Sequence, residues 1–277
     1  MSSEFVANRA SVLEPGIDPI EDDVLRQAAE ILLEARRSRV PIRELPEGLR
    51  PKTLAEAYRL QDILVSTMGA VGGWKVGAPS PEAEPICAPM PLLGGFAPDN
   101  ATIGATFSRY RGAEAEIAFL LGKDLPVREQ PYSREEVVAA IASAHPAIEI
   151  LETAFDDPFG VDRLSMIGDL QINGGFAYGP AFAGWRDVDL AKEIATIIVD
   201  GAVRVEATAS NPAGTDLLRL VTWLANEGQS RTGGLSAGDW ITTGSWTGKV
   251  LASSGSEVIA RFSTFGSLRI YFAHKEL

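Results

Sequence analysis

From Asp22 onward, apolar residues recur at three- and four-residue spacing: Leu25, Ala28, Ala29, Leu32 and Ala35. That spacing lines them along one face and predicts an amphipathic helix. A connector containing Pro41, Pro46 and Pro51 follows. Thr53, with Glu56 three residues on, then has the form of a capping box. It opens a second helix with Leu54, Ala57, Tyr58, Leu64 and Met68 along its buried side and Gly69 as its stop. After Gly72 and Gly73 the pattern shortens. Apolar runs at 74–76, 115–121, 148–151, 176–178, 194–199, 240–243, 258–262 and 268–272 alternate with Gly, Pro, Asn and Asp turns, and read as strands. Two helices interrupt them. One is capped by Ser133 and Glu136 and carries Val137, Val138 and Ile141. The other covers about 215–226, with Leu217, Leu218, Val221 and Leu224 as its stripe. The predicted organisation is a loose leader over 1–20, a helical segment over 21–72 and a β-rich domain over 73–277, an α+β fold.

Composition narrows the function. The chain has 277 residues, 45% of them hydrophobic and 22% charged, enough for a sizeable core. Its formal charge of −12 argues against nucleic acid and anionic membranes as partners. An anionic substrate would be repelled at long range, so a small acid needs a local cation or a lysine. The single cysteine, Cys87, excludes an intrachain disulfide. With no apolar run of signal-peptide or membrane-span length, a cytoplasmic location is expected.

The candidate chemistry begins at Gly112-Ala-Glu-Ala-Glu-Ile-Ala-Phe-Leu-Leu-Gly122. Residues two apart on a strand share a face, so Glu114 and Glu116 point together, followed by Ala118 and Leu120. Ala115, Ile117, Phe119 and Leu121 form the opposite, core-facing side. Two adjacent carboxylates under apolar cover raise each other's pKa unless a cation neutralises them. Glu149, between Ile148 and Ile150, is an expensive charge to bury without a partner. If its strand lies beside the first, three carboxylates converge. Such an all-oxygen set suits Mg²⁺, Mn²⁺ or Ca²⁺ and disfavours zinc, and only His145 and His274 are available as imidazoles. The bland reading is a solvated Glu-x-Glu face, with Glu149 paired to an arginine.

Lys75, in the glycine-bracketed Gly73-Trp-Lys-Val-Gly77, reads either as a binder of a substrate carboxylate or as an edge-strand lysine reaching water. In Gly238-Asp-Trp-Ile-Thr-Thr-Gly244, Thr243 reads as a donor to a bound carboxylate or as part of a structural turn. His145 is expected to bridge a helix to Pro146. Cys87, among prolines and without a base, does not read as a nucleophile.

Taken in order, these segments resemble the 2-keto-4-pentenoate hydratase branch of the fumarylacetoacetate hydrolase superfamily. Ala57-Tyr-Arg-Leu-Gln61 is similar to its Ala-Tyr-x-x-Gln helix and Gly73–Gly77 to its Gly-x-Lys-x-Gly strand. Glu114-Ala-Glu-Ile-Ala118 and Pro146-Ala-Ile-Glu149 match its metal-binding segments. Gly168-Asp169 matches a characteristic aspartate, and 238–244 its Gly-Asp-x-Ile-x-Thr-Gly turn. The resemblance spans about residues 22–272. It implies a mixed β-roll with an N-terminal helical segment, and Mg²⁺ or Mn²⁺ on Glu114, Glu116 and Glu149. It implies a small 2-oxo acid chelating that metal, with Lys75, Thr243 and Gly244 binding the substrate and Lys75 and Asp169 in catalytic roles. A homo-oligomer, alone or with a related pathway enzyme, is implied as well.

The chain departs from the pattern at three places, one of them Thr215-Asp216-Leu217, where the branch often opens the late helix with Gly-His-Pro. Asp169-Leu-Gln-Ile172 stands where the branch tends to carry Asp-Asn-x-Ser, and Pro85-Ile-Cys-Ala88 where it tends to carry Pro-Asp-Phe-Gly. Leu170, Ile172, Ile86 and Cys87 are therefore expected to make an apolar pocket with reduced proton-transfer apparatus. Hydration of a 2-hydroxydienoic acid is the leading expectation. Decarboxylation of a 2-oxo-enedioate and hydrolysis of an acylpyruvate are rivals on the same platform, and a non-catalytic partner subunit is the alternative of another class.

Overall fold

A computed structural model describes residues 19–104 and 109–274, so nearly all of the expected leader lies outside the described residues. Helices α1 (Pro19–Ser38) and α2 (Leu54–Met68) form an N-terminal layer. Leu25, Ala28, Ala29, Leu32 and Ala35 are all buried there, against Leu60, Leu64, Ala154, Phe155 and Leu170. The Thr53 hydroxyl accepts from the Glu56 N–H, but the Glu56 carboxylate takes the Lys52 N–H, one residue outside a closed capping box. Along α2 the buried apolar side is Ala57, Leu60, Ile63 and Leu64, whereas Leu54 is exposed.

The strands are β1 (Val71–Gly77), β2 (Ile86–Pro91), β3 (Phe96–Pro98), β4 (Ala101–Ile103), β5 (Gly112–Leu121), β6 (Ile141–Leu151), β7 (Asn173–Tyr178), β8 (Ile194–Val199), β9 (Ala202–Thr208), β10 (Trp240–Ser245), β11 (Val250–Leu251), β12 (Glu257–Phe262) and β13 (Gly266–Phe272). They are interrupted by α3 (Arg134–Ala140), α4 (Arg163–Gly168), α5 (Leu217–Ala225) and α6 (Gln229–Thr232). An eight-stranded mixed sheet runs β2-β1-β10-β5-β6-β7-β3, with β11 also on β5. A five-stranded sheet runs β4-β13-β12-β8-β9.

The two faces of β5 separate two environments. Ala113, Ala115, Ile117, Phe119 and Leu121 enter the main core with Ile197 of β8, Ala260 of β12, Ile270 of β13 and Leu220 of α5. The other face carries Glu114 and Glu116 and then Ala118 and Leu120, which pack with Met90, Ala147, Phe176 and Trp240. The sheet curls so that edge strand β2 meets β7. That second face is the inside of a roll. A smooth strand passage requires glycine at position 73, because a Cβ there would stand 2.2 Å from the Trp240 carbonyl oxygen.

Two local expectations are corrected. Ile141 does not extend α3. It is the C-cap, and β6 begins there, because the capping box at Ser133 sets the start while the β-branched, paired run that follows ends the helix. His145 therefore lies within β6, not between a helix and Pro146. Its Nδ1 sits 2.8 Å from the Gly179 carbonyl oxygen and its ring is edge-on to Trp240. Burial pushes its pKa below the usual value, partly offset by that carbonyl contact.

Candidate metal centre

Antiparallel pairing of β5 with β6 sets Glu114 directly opposite Glu149 and Glu116 opposite Ala147. With the pleat alternating sides, all three carboxylates lie on the inner face of the roll. One oxygen from each lies within 4.8 Å of the others. Glu116 and Glu149 are buried and Glu114 is half-buried.

β1, two strands from β5, brings Lys75 to the same face, and it is not an edge lysine. Its Nζ is 2.6 Å from Glu149 Oε1 and 3.0 Å from the Gln171 carbonyl oxygen. Asn173 Nδ2 donates to the same Glu149 oxygen at 2.9 Å. Glu149 Oε2, in contrast, is buried with no hydrogen-bond partner. Glu116 is held by β10, where one extra residue bulges between Thr242 and Ser245 in the pairing with β5. The bulge aims both the Thr242 hydroxyl and the Gly244 N–H (2.9 Å) at Glu116 Oε2. Gly244 has φ +91°, a conformation other residues reach only with strain.

Electrostatics point the same way. Burial and the neighbouring Glu149 push the Glu114 carboxyl up to about 7, against the pull of Lys75 and Lys249. Burial, Glu149 and Glu114 raise Glu116 well above the usual carboxylate range. Burial works to lower the Lys75 ammonium, and Glu149, Glu114 and Glu116 together outweigh it, so its pKa is raised. Three negative charges against one positive leave −2 in a largely buried site when all four groups are ionised. A divalent cation matches that charge, and the orphaned Glu149 oxygen is an open ligand position. The donor set therefore fits a hard divalent metal.

Three expected roles change. The Thr243 hydroxyl donates to the Ile117 carbonyl oxygen at 2.7 Å, away from the carboxylates, because alternation on β10 turns its predecessor inward. Thr242 takes the inward place. The Gly244 N–H is given to Glu116, so it orients a site carboxylate and is not free for substrate. Asp169 is fully buried and saturated. Arg36 Nε (2.7 Å), Thr153 Oγ1 (2.7 Å) and the Ala154 N–H (2.8 Å) all donate to its carboxylate, so the ordering of lysine, metal water or substrate expected of it does not run through a free carboxylate oxygen. Nor do Leu170 and Cys87 line an open pocket, since they are packed in the helical and main cores.

Sequence reasoning missed Thr242, Asn173, Gln171 and Lys249. The strand alternation Trp240-Ile241-Thr242 with Ile241 in the core was a usable signal for Thr242. Gln171 and Lys249 lie outside the strands, and Asn173 opens β7 directly after the turn that holds Gln171. Gln171 sits in a turn in which Leu170, Gln171 and Ile172 have φ of 57°, 50° and 60°. Each such left-handed residue costs about 1–2 kcal/mol, and the β-branched Ile172 is a marked outlier. At the rim, Lys249 Nζ is 2.9 Å from the Tyr110 hydroxyl and 4.3 Å from the centre of the exposed Phe159 ring.

No family model matches the chain. The 2-keto-4-pentenoate hydratase of Paraburkholderia xenovorans (strain LB400) is 27% identical over 262 residues, 91% of this chain and 96% of that protein. Among solved structures, the 4-oxalocrotonate decarboxylase from Pseudomonas putida G7, complexed with magnesium and adipate, superposes with a TM-score of 0.75. It is 22% identical and covers 94% of this chain and 100% of that one. A fumarylacetoacetate hydrolase from Exiguobacterium antarcticum aligns with a TM-score of 0.54 at 15% identity, over 75% of this chain and 76% of that one. These relatives bear out the expected fold and the resemblance read from the motifs.

Proposed function

We propose that this chain, a member of the fumarylacetoacetate hydrolase superfamily in its 2-keto-4-pentenoate hydratase branch, is a divalent-metal-dependent lyase acting on a small 2-oxo or 2-hydroxydienoic acid. The observation that carries the reading is the convergence of Glu114, Glu116 and Glu149 around an unpartnered carboxylate oxygen, with Lys75 beside them. Glu114, Glu116 and Glu149 would hold Mg²⁺ or Mn²⁺. When bound, that ion supplies Lewis-acid stabilisation of charge developing on a 2-oxo group.

The protein's own groups do the rest. Lys75 keeps its proton under three carboxylates, so it acts as a fixed cation toward a substrate carboxylate and holds a proton at Nζ. Asn173 and Lys75 tie down one oxygen of Glu149 and leave the other available. Thr242 and Gly244 fix Glu116. The aromatic plug of Phe176, Tyr178 and Trp240 closes the roll behind the carboxylates and keeps water from that side.

Decarboxylation of a 2-oxo-enedioate is a second reading, favoured by the commitment of Asp169 to Arg36 and Thr153. Decarboxylation needs an electron sink but no water-activating pair. The test is a panel of 2-hydroxydienoic, 2-oxo-enedioic and acylpyruvic acids with Mg²⁺ or Mn²⁺, with products identified and carbon dioxide measured. Hydration of a dienoate supports the leading reading. Carbon dioxide release from the enedioate alone favours the second, and turnover of no acid at any metal concentration overturns both.

A further inference from the structure

We propose that Arg36, in the last turn of α1, is a positioning residue for the carboxylate site, acting through the 169–173 turn on Lys75 and Glu149. The inference rests on the metal-centre reading only for what that site does, not for how Arg36 holds it. The Arg36 side chain is 9% exposed, and its guanidinium spends its donors on the 169–173 segment and on Glu152 beside it. Nε donates to Asp169 Oδ1 at 2.7 Å and one terminal nitrogen to the Asn173 carbonyl oxygen at 3.2 Å. The other terminal nitrogen reaches the Glu152 and Asp169 carbonyl oxygens at 3.1 Å each.

The segment bracketed by those bonds is the left-handed turn at Leu170, Gln171 and Ile172. Three successive side-chain-bearing residues with positive φ do not persist without an outside clamp. The turn's two site-facing products are the Gln171 carbonyl, 3.0 Å from Lys75 Nζ, and the Asn173 amide, 2.9 Å from Glu149 Oε1. Both residues lie between or on the atoms Arg36 grips. If the turn relaxed toward ordinary backbone angles, Lys75 would lose an acceptor and Glu149 a donor together. Lysine cannot replace the guanidinium, because an ammonium cannot present the planar fork that reaches both flanks of the turn.

The decisive variant is Arg36→Lys, which keeps the positive charge that buried Asp169 needs. Asp22→Asn is the control. It removes the Asp22–Arg59 pair (2.6 Å), loosening the helical layer without touching the turn. Two quantities are read for each: the rate at which Lys75 is labelled by an amine-reactive reagent in metal-free protein, followed by mass spectrometry, and the Mn²⁺ dissociation constant from calorimetry. Arg36→Lys is expected to speed Lys75 labelling and to weaken Mn²⁺ binding by about 10–100-fold, the range for loss of an outer hydrogen-bond partner. Asp22→Asn is expected to lower the melting temperature and change neither. Wild-type labelling of Lys75 in Arg36→Lys overturns the proposal, whatever the metal data. Absence of Mn²⁺ binding by the wild type overturns the metal reading, and the labelling rate still decides the role of Arg36.

Discussion

The chemistry of this chain is set by a few side chains whose ordinary behaviour is suppressed. Glu114 has its pKa raised from 4.5 to about 7, chiefly by burial and then by Glu149. A carboxyl whose folded pKa exceeds its unfolded one stabilises the metal-free fold fully below 4.5, and that contribution is lost as pH rises through about 7. Below about 7 the Glu114 carboxyl holds a proton that a bound cation must displace. Mg²⁺ affinity should therefore rise with pH across about 7, and titrations at about pH 5.5 and about pH 8 check this. Equal affinity at both would remove Glu114 from the ligand set. Thr242 offers a second test, because its hydroxyl donates to Glu116. Thr242→Val keeps the shape and deletes the donor, and should weaken metal binding by about 10–100-fold while the fold is kept. The same substitution at Thr243, whose hydroxyl bonds to the Ile117 carbonyl, should leave metal affinity as it is and register in the melting temperature alone.

Among the elements, legibility in the sequence followed the strength of the local pattern. The α1 stripe and the two faces of β5 were readable, because period 3.6 and period 2 over long segments leave little choice. The pairing Glu114–Glu149 was only conditional, since register depends on which strands meet. β2 went unread because Pro89 and Pro91 interrupt it, and its place at the sheet edge is where proline is tolerated. β9 is also an edge strand and mostly exposed, without an apolar run. Asp169 was readable as important but not as saturated, because its partners Arg36 and Thr153 stand 133 and 16 residues away. At this scale the close passage of β1 by β10 makes a further prediction. Gly73→Ala would set a methyl 2.2 Å from the Trp240 carbonyl oxygen, which is backbone and cannot yield. The variant should lose about 1–3 kcal/mol in denaturant unfolding. Because Lys75 is carried on the same strand, turnover should fall with it. A Gly73→Ala protein with unchanged stability would contradict the described packing.

Over the whole molecule, a chain with net charge −12 gathers three carboxylates on the inner face of a roll, closes them behind aromatic side chains and gives them one lysine. Long-range repulsion of any anion is screened within about 10 Å at moderate salt, so the local charge at the site decides whether the proposed acid binds. In isolation that site is under strain, with raised carboxyl pKa values and an unpartnered oxygen on Glu149. The measurement that bears most directly on the metal site is calorimetric titration of Mn²⁺ into the wild-type protein and into Glu149→Gln, at about pH 8, above the value of about 7 to which Glu114 is raised. One ion per chain is expected to bind the wild type, with a melting temperature raised by saturating metal and lowered again by EDTA, and both effects lost in the folded variant. No binding to the wild type, or binding of equal strength to Glu149→Gln, would contradict that expectation.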